Sequence, residues 1–338
     1  MRLHALQYLR AFAALAVVYS HSVIQVSGFE QYLLDVGSFG VDIFFVISGF
    51  IMVYIAKPDD KPAAFIVNRI RRVVPLYWFF TGLMALILIV MPNVFKATVF
   101  SWDTLVLSLT FIPHFSIAYE GYVWPLLAPG WSLIFEMYFY GLFALSLFLP
   151  PRYRVASITG VIVVVFVIAT LNHTGESAMA QFFAKSMVFE FILGMLLALA
   201  WKKGFRLPSS TAWCLLVFAL CLLFMEPPFP RIFEYGLPSL LIVAACLYIR
   251  VPESPLGVLL GDASYALYLS HIFTLGVLRK FVAPLLGDSQ MAAYLFVIIS
   301  LVVCTVVSVY IHKYIDNWLL RRERWQFTTK IQPSPIKT

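Results

Sequence analysis

Long apolar runs separated by short polar breaks dominate the chain. Runs at residues 6–24, 36–55, 73–91, 131–150, 155–171, 181–201, 209–226, 232–249, 261–280 and 291–313 reach or approach bilayer length and predict ten spanning helices. The first run is long for a signal-peptide core and is interrupted by Arg10, so a retained helix is expected there. Pro92, Pro113, Pro125 and Pro129 punctuate the loop before the fourth helix. The apolar piece at 105–112 within that loop is too short to span, and it is expected to re-enter the membrane or lie on its surface. No internal repeat or inverted symmetry is legible.

Composition narrows the class. Of 338 residues, 62% are apolar and 12% charged, against about half and a quarter in a soluble domain. That excludes a soluble enzyme, a disordered chain and a nucleic-acid-binding domain, even with a net charge of +7. In a membrane protein, excess Lys and Arg set topology. Ten spans put both termini on one side, and that side holds eighteen Lys and Arg outside the spans against five on the other. The expectation is an all-α polytopic protein with both termini cytoplasmic, a membrane domain over residues 1–315 and a basic cytoplasmic tail over 316–338. Cys214, Cys221, Cys246 and Cys304 lie in apolar stretches without ligand spacing; they are expected to be buried, with neither a metal site nor disulfides.

Ionisable side chains inside the hydrocarbon layer are the candidates for chemistry, because each is costly there without a partner or a wet cavity. Arg10 and His21 share a face of the first helix, eleven residues and about 16 Å of rise apart. A snorkelling arginine and an interfacial histidine are the plain alternative. Asp42 is expected at the depth of His21, where a carboxylate would fix the imidazole tautomer, or else as an acidic group on a helix N-terminus. Gly40 and Gly49 in that helix suit close packing. Ser132, Glu136 and Tyr140 form a stripe at i, i+4 and i+8 of the fourth helix. Glu136 is expected in the outer third of the bilayer, protonated or paired with His21. Ser264, Tyr268 and His271 share a face of the ninth helix, as a catalytic group or a hydrogen-bonding latch between helices. Glu190 reads as a packing or hydrogen-bonding residue. Before the third span, Arg69 and Arg72 point together and Arg71 away, beside an apolar stripe of Ile66, Ile70 and Val73, as in a helix lying on the interface. A topology signal explains such a basic cluster, and so does a phosphate clamp.

These segments together resemble the membrane acyltransferase-3 family, and the likeness covers nearly the whole chain. It rests on Arg10 and His21, on Gly40-Val-Asp42-Ile-Phe-Phe-Val-Ile-Ser48-Gly49, on Arg69 and Arg72, on Trp131-Ser132-Leu133 with Glu136, and on Ser264-Tyr265 with Tyr268 and His271. The resemblance implies acyl transfer, most often of acetyl, from cytoplasmic acyl-CoA to sugar hydroxyls of exported glycans. Many members carry an extra extracytoplasmic hydrolase-like domain, which is expected to be absent here because the sequence after the tenth span is a short basic, polar tail. The short form looks like the branch that decorates exopolysaccharides of the succinoglycan type, in the inner membrane.

On that reading acetyl-CoA is the donor substrate, the acceptor is a glycan or lipid-linked oligosaccharide, and no metal or nucleic acid takes part. Arg10, Arg69, Arg72 and Ser48 form the donor-binding group, with the arginines meeting the CoA phosphates at the cytoplasmic face. His21, Asp42 and Glu136 gather nearer the outer face. His21 acts as general base or transient acyl carrier, Glu136 or Asp42 orients it, and Tyr268 and His271 donate to the thioester oxyanion. Two rival classes remain at this stage: a proton-coupled transporter or flippase using the same residues as a relay, and a non-catalytic subunit of a glycan-export assembly.

Overall fold

Among the described residues, each expected apolar run folds mainly as helix. The structure, a computed structural model, describes residues 4–25, 37–92, 98–173, 175–224, 230–287 and 289–321. The helices are α1 (His4–Ile24), α2 (Phe39–Ile55), α3 (Pro62–Val90), α4 (Trp102–Leu109), α5 (Trp131–Ser146), α6 (Pro151–Leu171), α7 (Ala178–Phe183), α8 (Val188–Lys202), α9 (Ser209–Phe224), α10 (Leu237–Tyr248), α11 (Pro255–Phe281), α12 (Ala283–Leu286), α13 (Gln290–Ile311) and α14 (Asn317–Arg321). π-Helical turns at Ile232–Gly236 and His312–Asp316 lead into α10 and α14. Several starts follow directly from sequence. Proline occupies the first turn of α3, α6 and α11, where no N–H is needed, and Ser101, Ser254 and Ser289 accept from Thr104, Gly257 and Ala292 amides to cap α4, α11 and α13.

By length and composition, five segments among the described residues can cross a bilayer: Pro62–Val90, Pro151–Leu171, Ala178–Lys202, Pro255–Phe281 and Gln290–Leu319. Phe39–Ile55, Ser209–Leu223 and Ile232–Tyr248 are shorter apolar helices. Exposed apolar side chains, such as Trp78, Leu86 and Ile89 on α3, Val164 and Ile168 on α6, and Ile298 and Val302 on α13, give the bundle an oily exterior. That suits lipid rather than water.

Glycine sets the tightest helix contacts. A side chain at Gly40 would strike the Ala13 carbonyl on α1; one at Gly49 would strike the Phe191 carbonyl on α8, and one at Gly194 the Val46 carbonyl on α2. Gly261 likewise lets α11 lie against Gln7 of α1. The backbones of α1, α2, α8 and α11 therefore approach closely, as small residues permit without hydrophobic drive between helices. Gly40 and Gly49 serve as expected.

Three expectations need correction. The arginine segment before the third span is no separate interfacial helix: it is the first turns of α3, which runs continuously from Pro62 through Pro75 to Val90. Helical propensity carries across a proline whose missing bond falls inside a well-packed segment, with Val73, Val74, Leu76 and Tyr77 all buried. The run at 181–201 is interrupted at Ala184–Met187, splitting α7 from α8. Cys214 and Cys221 are exposed on α9 and Cys246 is half-buried, leaving only Cys304 buried; an apolar run gives no sign of which face meets the outside. Arg2, Lys96 and residues 322–338 of the basic tail lie outside the described residues.

The loop between α3 and α5 is folded inward. Tyr77, midway along α3, donates to the Ser108 carbonyl at 3.1 Å and Trp78 to the Leu109 carbonyl at 2.9 Å. The Ser108 hydroxyl accepts from the Leu126 amide at 2.8 Å. The short apolar helix α4 thus descends along α3 and delivers the chain to the first turn of α5 deep in the bundle.

Candidate active site

At the end of the bundle that holds the start of α1, three cations converge from two helices. Arg10 of α1 donates to Gln7 at 3.1 Å, and Gln7 in turn donates to Asp262 of α11 at 3.1 Å. Arg10 also lies in the field of Arg72, Glu136 and Tyr140. Arg69 of α3 carries its guanidinium 5.3 Å from the Phe65 ring centre and 5.8 Å from that of Tyr140. Its Nε is buried without a hydrogen-bond partner. Tyr140 donates to Glu136 one turn earlier on α5. Glu136 is therefore not beside His21. It shares the field of Arg10, Arg69 and Arg72, and Asp262 lies in that of Arg10 as well.

Deeper along the same face the polar line continues. The Ser132 and Tyr268 hydroxyls lie 2.7 Å apart, joining α5 to α11, and Tyr268 also reaches the Pro129 carbonyl at 2.9 Å. The ring centres of Tyr268 and His271 are 6.1 Å apart. Ser264 closes on its own helix, donating to the Gly261 carbonyl at 2.7 Å. Ser48 on α2 has a buried hydroxyl with no hydrogen-bond partner.

The line ends in two imidazoles. Nε2 of fully buried His271 is 3.1 Å from Nδ1 of half-buried His21, whose Nδ1 is also 3.0 Å from the Val17 carbonyl. A carbonyl only accepts, so the proton of neutral His21 sits on Nδ1 and the lone pair on Nε2. His271 Nε2 accepts from the same N–H, which places its own proton on Nδ1. Sequence spacing put His21 on the first helix and His271 on the ninth without linking them; the structure makes each the other's partner. Arg10 and His21 both turn into the bundle, with their side chains on protein rather than on the exterior.

Asp42 stands apart from this line. Its carboxylate is fully buried and receives Arg231 at 2.7 Å from the segment before α10. On α8, Glu190 is also fully buried, and its carboxyl group faces that of Asp42 closely enough for a hydrogen bond through a shared proton. Equal depth with His21 did not bring Asp42 to it, because α2 turns that face toward α8, where Gly49 and Gly194 bring the backbones together. Arg231 read in the sequence only as one of the few cations outside the basic side. Nothing in its local pattern signals a carboxylate partner 189 residues away. Arg154 was similarly hidden. It is buried and donates to the Leu149, Lys57 and Pro58 carbonyls, tying two loops together.

The arrangement offers an anion site rich in guanidinium, a hydroxyl-bearing connection and an imidazole whose basic nitrogen is defined. Such a set suits transfer of a group carried on a polyanionic donor. Comparison with known proteins agrees in kind. The family model described as an acyltransferase domain matches residues 3–313. The chain is 33% identical over 298 residues to the exopolysaccharide production protein ExoZ of Rhizobium meliloti (strain 1021), covering 86% of this chain and 91% of that one. It is 26% identical over 361 residues to the acyltransferase MdmB of Streptomyces mycarofaciens, covering 95% and 92%. It is also 28% identical over 308 residues to YrhL of Bacillus subtilis (strain 168), named as a candidate peptidoglycan O-acetyltransferase, covering 78% of this chain and 47% of that one. No solved structure matches the chain.

Proposed function

This chain belongs to the acyltransferase-domain family, and from that premise we propose that it moves an acyl group, acetyl by default, from acyl-CoA to a sugar hydroxyl of an exopolysaccharide or its lipid-linked precursor. The observation that carries the reading is the single polar line from Arg10, Arg69 and Glu136 through Ser132 and Tyr268 to the His21–His271 pair. The arginine end takes the phosphates of the donor, since guanidinium groups meet phosphate oxygens bidentately. The pantetheine arm then lies along the stripe of α5 toward the histidines. ExoZ is named for exopolysaccharide production, which supports that glycan class as acceptor. The topology that accompanies this reading is ten spans with both termini cytoplasmic in the inner membrane, so that the donor enters from the cytoplasm.

The acceptor O–H gives its proton to Nε2 of His21 as its oxygen bonds to the thioester carbonyl carbon. The C–S bond breaks with its electron pair on sulfur, and the imidazolium returns the proton to that thiolate, leaving an ester and CoA-SH. His271, by accepting from Nδ1–H, holds His21 in the tautomer with Nε2 basic. It is a positioning residue here. To serve as oxyanion donor, the single O–H of Tyr268 turns from the Pro129 carbonyl to the thioester oxygen, with the Ser132 hydroxyl donating to the Tyr268 oxygen.

The test is release of free CoA from acetyl-CoA by the purified protein in nanodiscs, with and without oligosaccharide acceptors. Acceptor-dependent release is expected, and its absence across glycan classes overturns the proposal. His21→Ala is expected to cut transfer by about 100-fold or more while acetyl-CoA still binds. Activity above a tenth of the unmodified protein would remove His21 as base.

A further inference from the structure

On the loop between α3 and α5, away from the arginine end, is a small half-open recess lined by Thr98, Thr104, His114, Ser116, Trp124 and Ala128 among others. Enclosed space within it amounts to little more than one water-sized group, enough to admit a single hydroxyl. His114 is buried, and its Nδ1 lies 2.9 Å from the Ile112 carbonyl. Because that carbonyl only accepts, Nδ1 carries the proton and Nε2 is a bare acceptor. Nε2 is buried with no hydrogen-bond partner, a costly state unless something outside the chain supplies an O–H or N–H.

The mouth of the recess is aromatic. Residues 115–123 fold back on themselves: the Ser116 amide donates to the Tyr122 carbonyl at 2.7 Å, and Gly121 turns the chain at φ 80°. This brings Tyr119, Tyr122 and Trp124 into mutual contact, with ring centres 4.6–6.1 Å apart. Tyr119 and Tyr122 are exposed and Trp124 lines the recess. A flat apolar ring face beside a pocket that lacks one hydroxyl donor matches a sugar ring, which offers C–H faces and O–H edges together.

We propose that this recess is a subsite for a neutral sugar of the acceptor, with one hydroxyl donating to His114 Nε2 and the pyranose ring lying on Trp124 and Tyr122. The inference rests on the acyltransferase reading and extends it to where the glycan sits. Its floor residue Ala128 is bonded to Pro129, whose carbonyl receives Tyr268 at 2.9 Å. A chain docked here is therefore held against the segment that supports the histidine pair.

The experiment uses the full-length protein in nanodiscs and a panel of neutral oligosaccharides built of glucose and galactose. Hydrogen exchange over residues 98–128 is expected to slow on adding an oligosaccharide and to be unaffected by acetyl-CoA alone. Trp124→Ala and, separately, His114→Gln are expected to raise the acceptor KM about tenfold while the acetyl-CoA KM stays unchanged. Trp124 is at the rim, so its variant guards against a folding defect from losing the His114–Ile112 bond. No protection by any sugar of the panel overturns the subsite. So does quenching of Trp124 fluorescence by brominated phosphatidylcholine, which would make the aromatic trio a lipid anchor. If no acceptor supports CoA release yet sugars still protect the loop, the acyl-transfer reading fails and the subsite stands.

Discussion

Two charged clusters are buried in this bundle, and their balance differs. Arg10, Arg69 and Arg72, three cations, share the field of Glu136, which is already engaged by Tyr140, and Arg10 also lies in that of Asp262, which receives Gln7. At the other cluster, Asp42 and Glu190 face Arg231, and Lys185 lies in the field of that arginine. Uncompensated charge in an apolar setting costs several kcal/mol. An excess of guanidinium is therefore best explained by an anion that arrives from outside. A cluster with comparable numbers of each sign satisfies itself and ties helices together. The first cluster reads as a binding site and the second as a strap joining α2, α8 and the start of α10.

The comparison breaks most visibly at Arg231. Arg231→Ala leaves two facing carboxyl groups without their cation. Removing one partner of a buried pair costs about 3–5 kcal/mol, and the lower end applies because 32% of this side chain is open. A clear fall in melting temperature is expected, with acetyl-CoA affinity per folded molecule unchanged. A variant as stable as the parent would show that the acidic cluster is not a strap.

The converse holds at the arginine end. Arg69→Ala with Arg72→Ala removes two charge-assisted phosphate contacts, each worth about 1.5 kcal/mol or more, so acetyl-CoA Kd is expected to rise about 100-fold. The melting temperature of the empty protein should stay level or rise, since like charges have been taken out of one another's field. Unchanged affinity in calorimetry would return the pair to a purely topological role.

What could be read from sequence follows the same division. The helices were legible because a bilayer imposes length and apolarity on each one, and among the described residues each of the ten runs does appear mainly as helix. Arg69 and Arg72, three residues apart, were placed together by helical period alone. Contacts between helices were not legible. Asp42 was assigned to His21 from depth, but depth says nothing about azimuth, and the glycines at 49 and 194 turn it to α8. Glu136 was set too far from the arginines because α5 was taken to start at the surface. The loop at 98–130 instead carries its first turn down to the level of Tyr77, whose ring lies against Gly130. His114 and Arg231 belong to loops or helix starts, where no period constrains a partner.

The finest test separates charge from shape within the acidic cluster. Glu190→Gln keeps the volume and the hydrogen-bonding atoms next to Gly236, a site where even a methyl group would crowd the Glu190 side chain. It turns one of two facing carboxyl groups into an amide while leaving the 2.7 Å Asp42–Arg231 pair intact. An amide N–H can replace the proton between the two facing carboxyl groups, so stability should stay within about 1 kcal/mol of the parent or improve slightly. CoA release should be unchanged, because Glu190 lies off the line from Arg69 to His21. A loss of turnover with stability retained would mean that the acidic cluster takes part in transfer, and the two ends of the bundle would then have to be treated as one site.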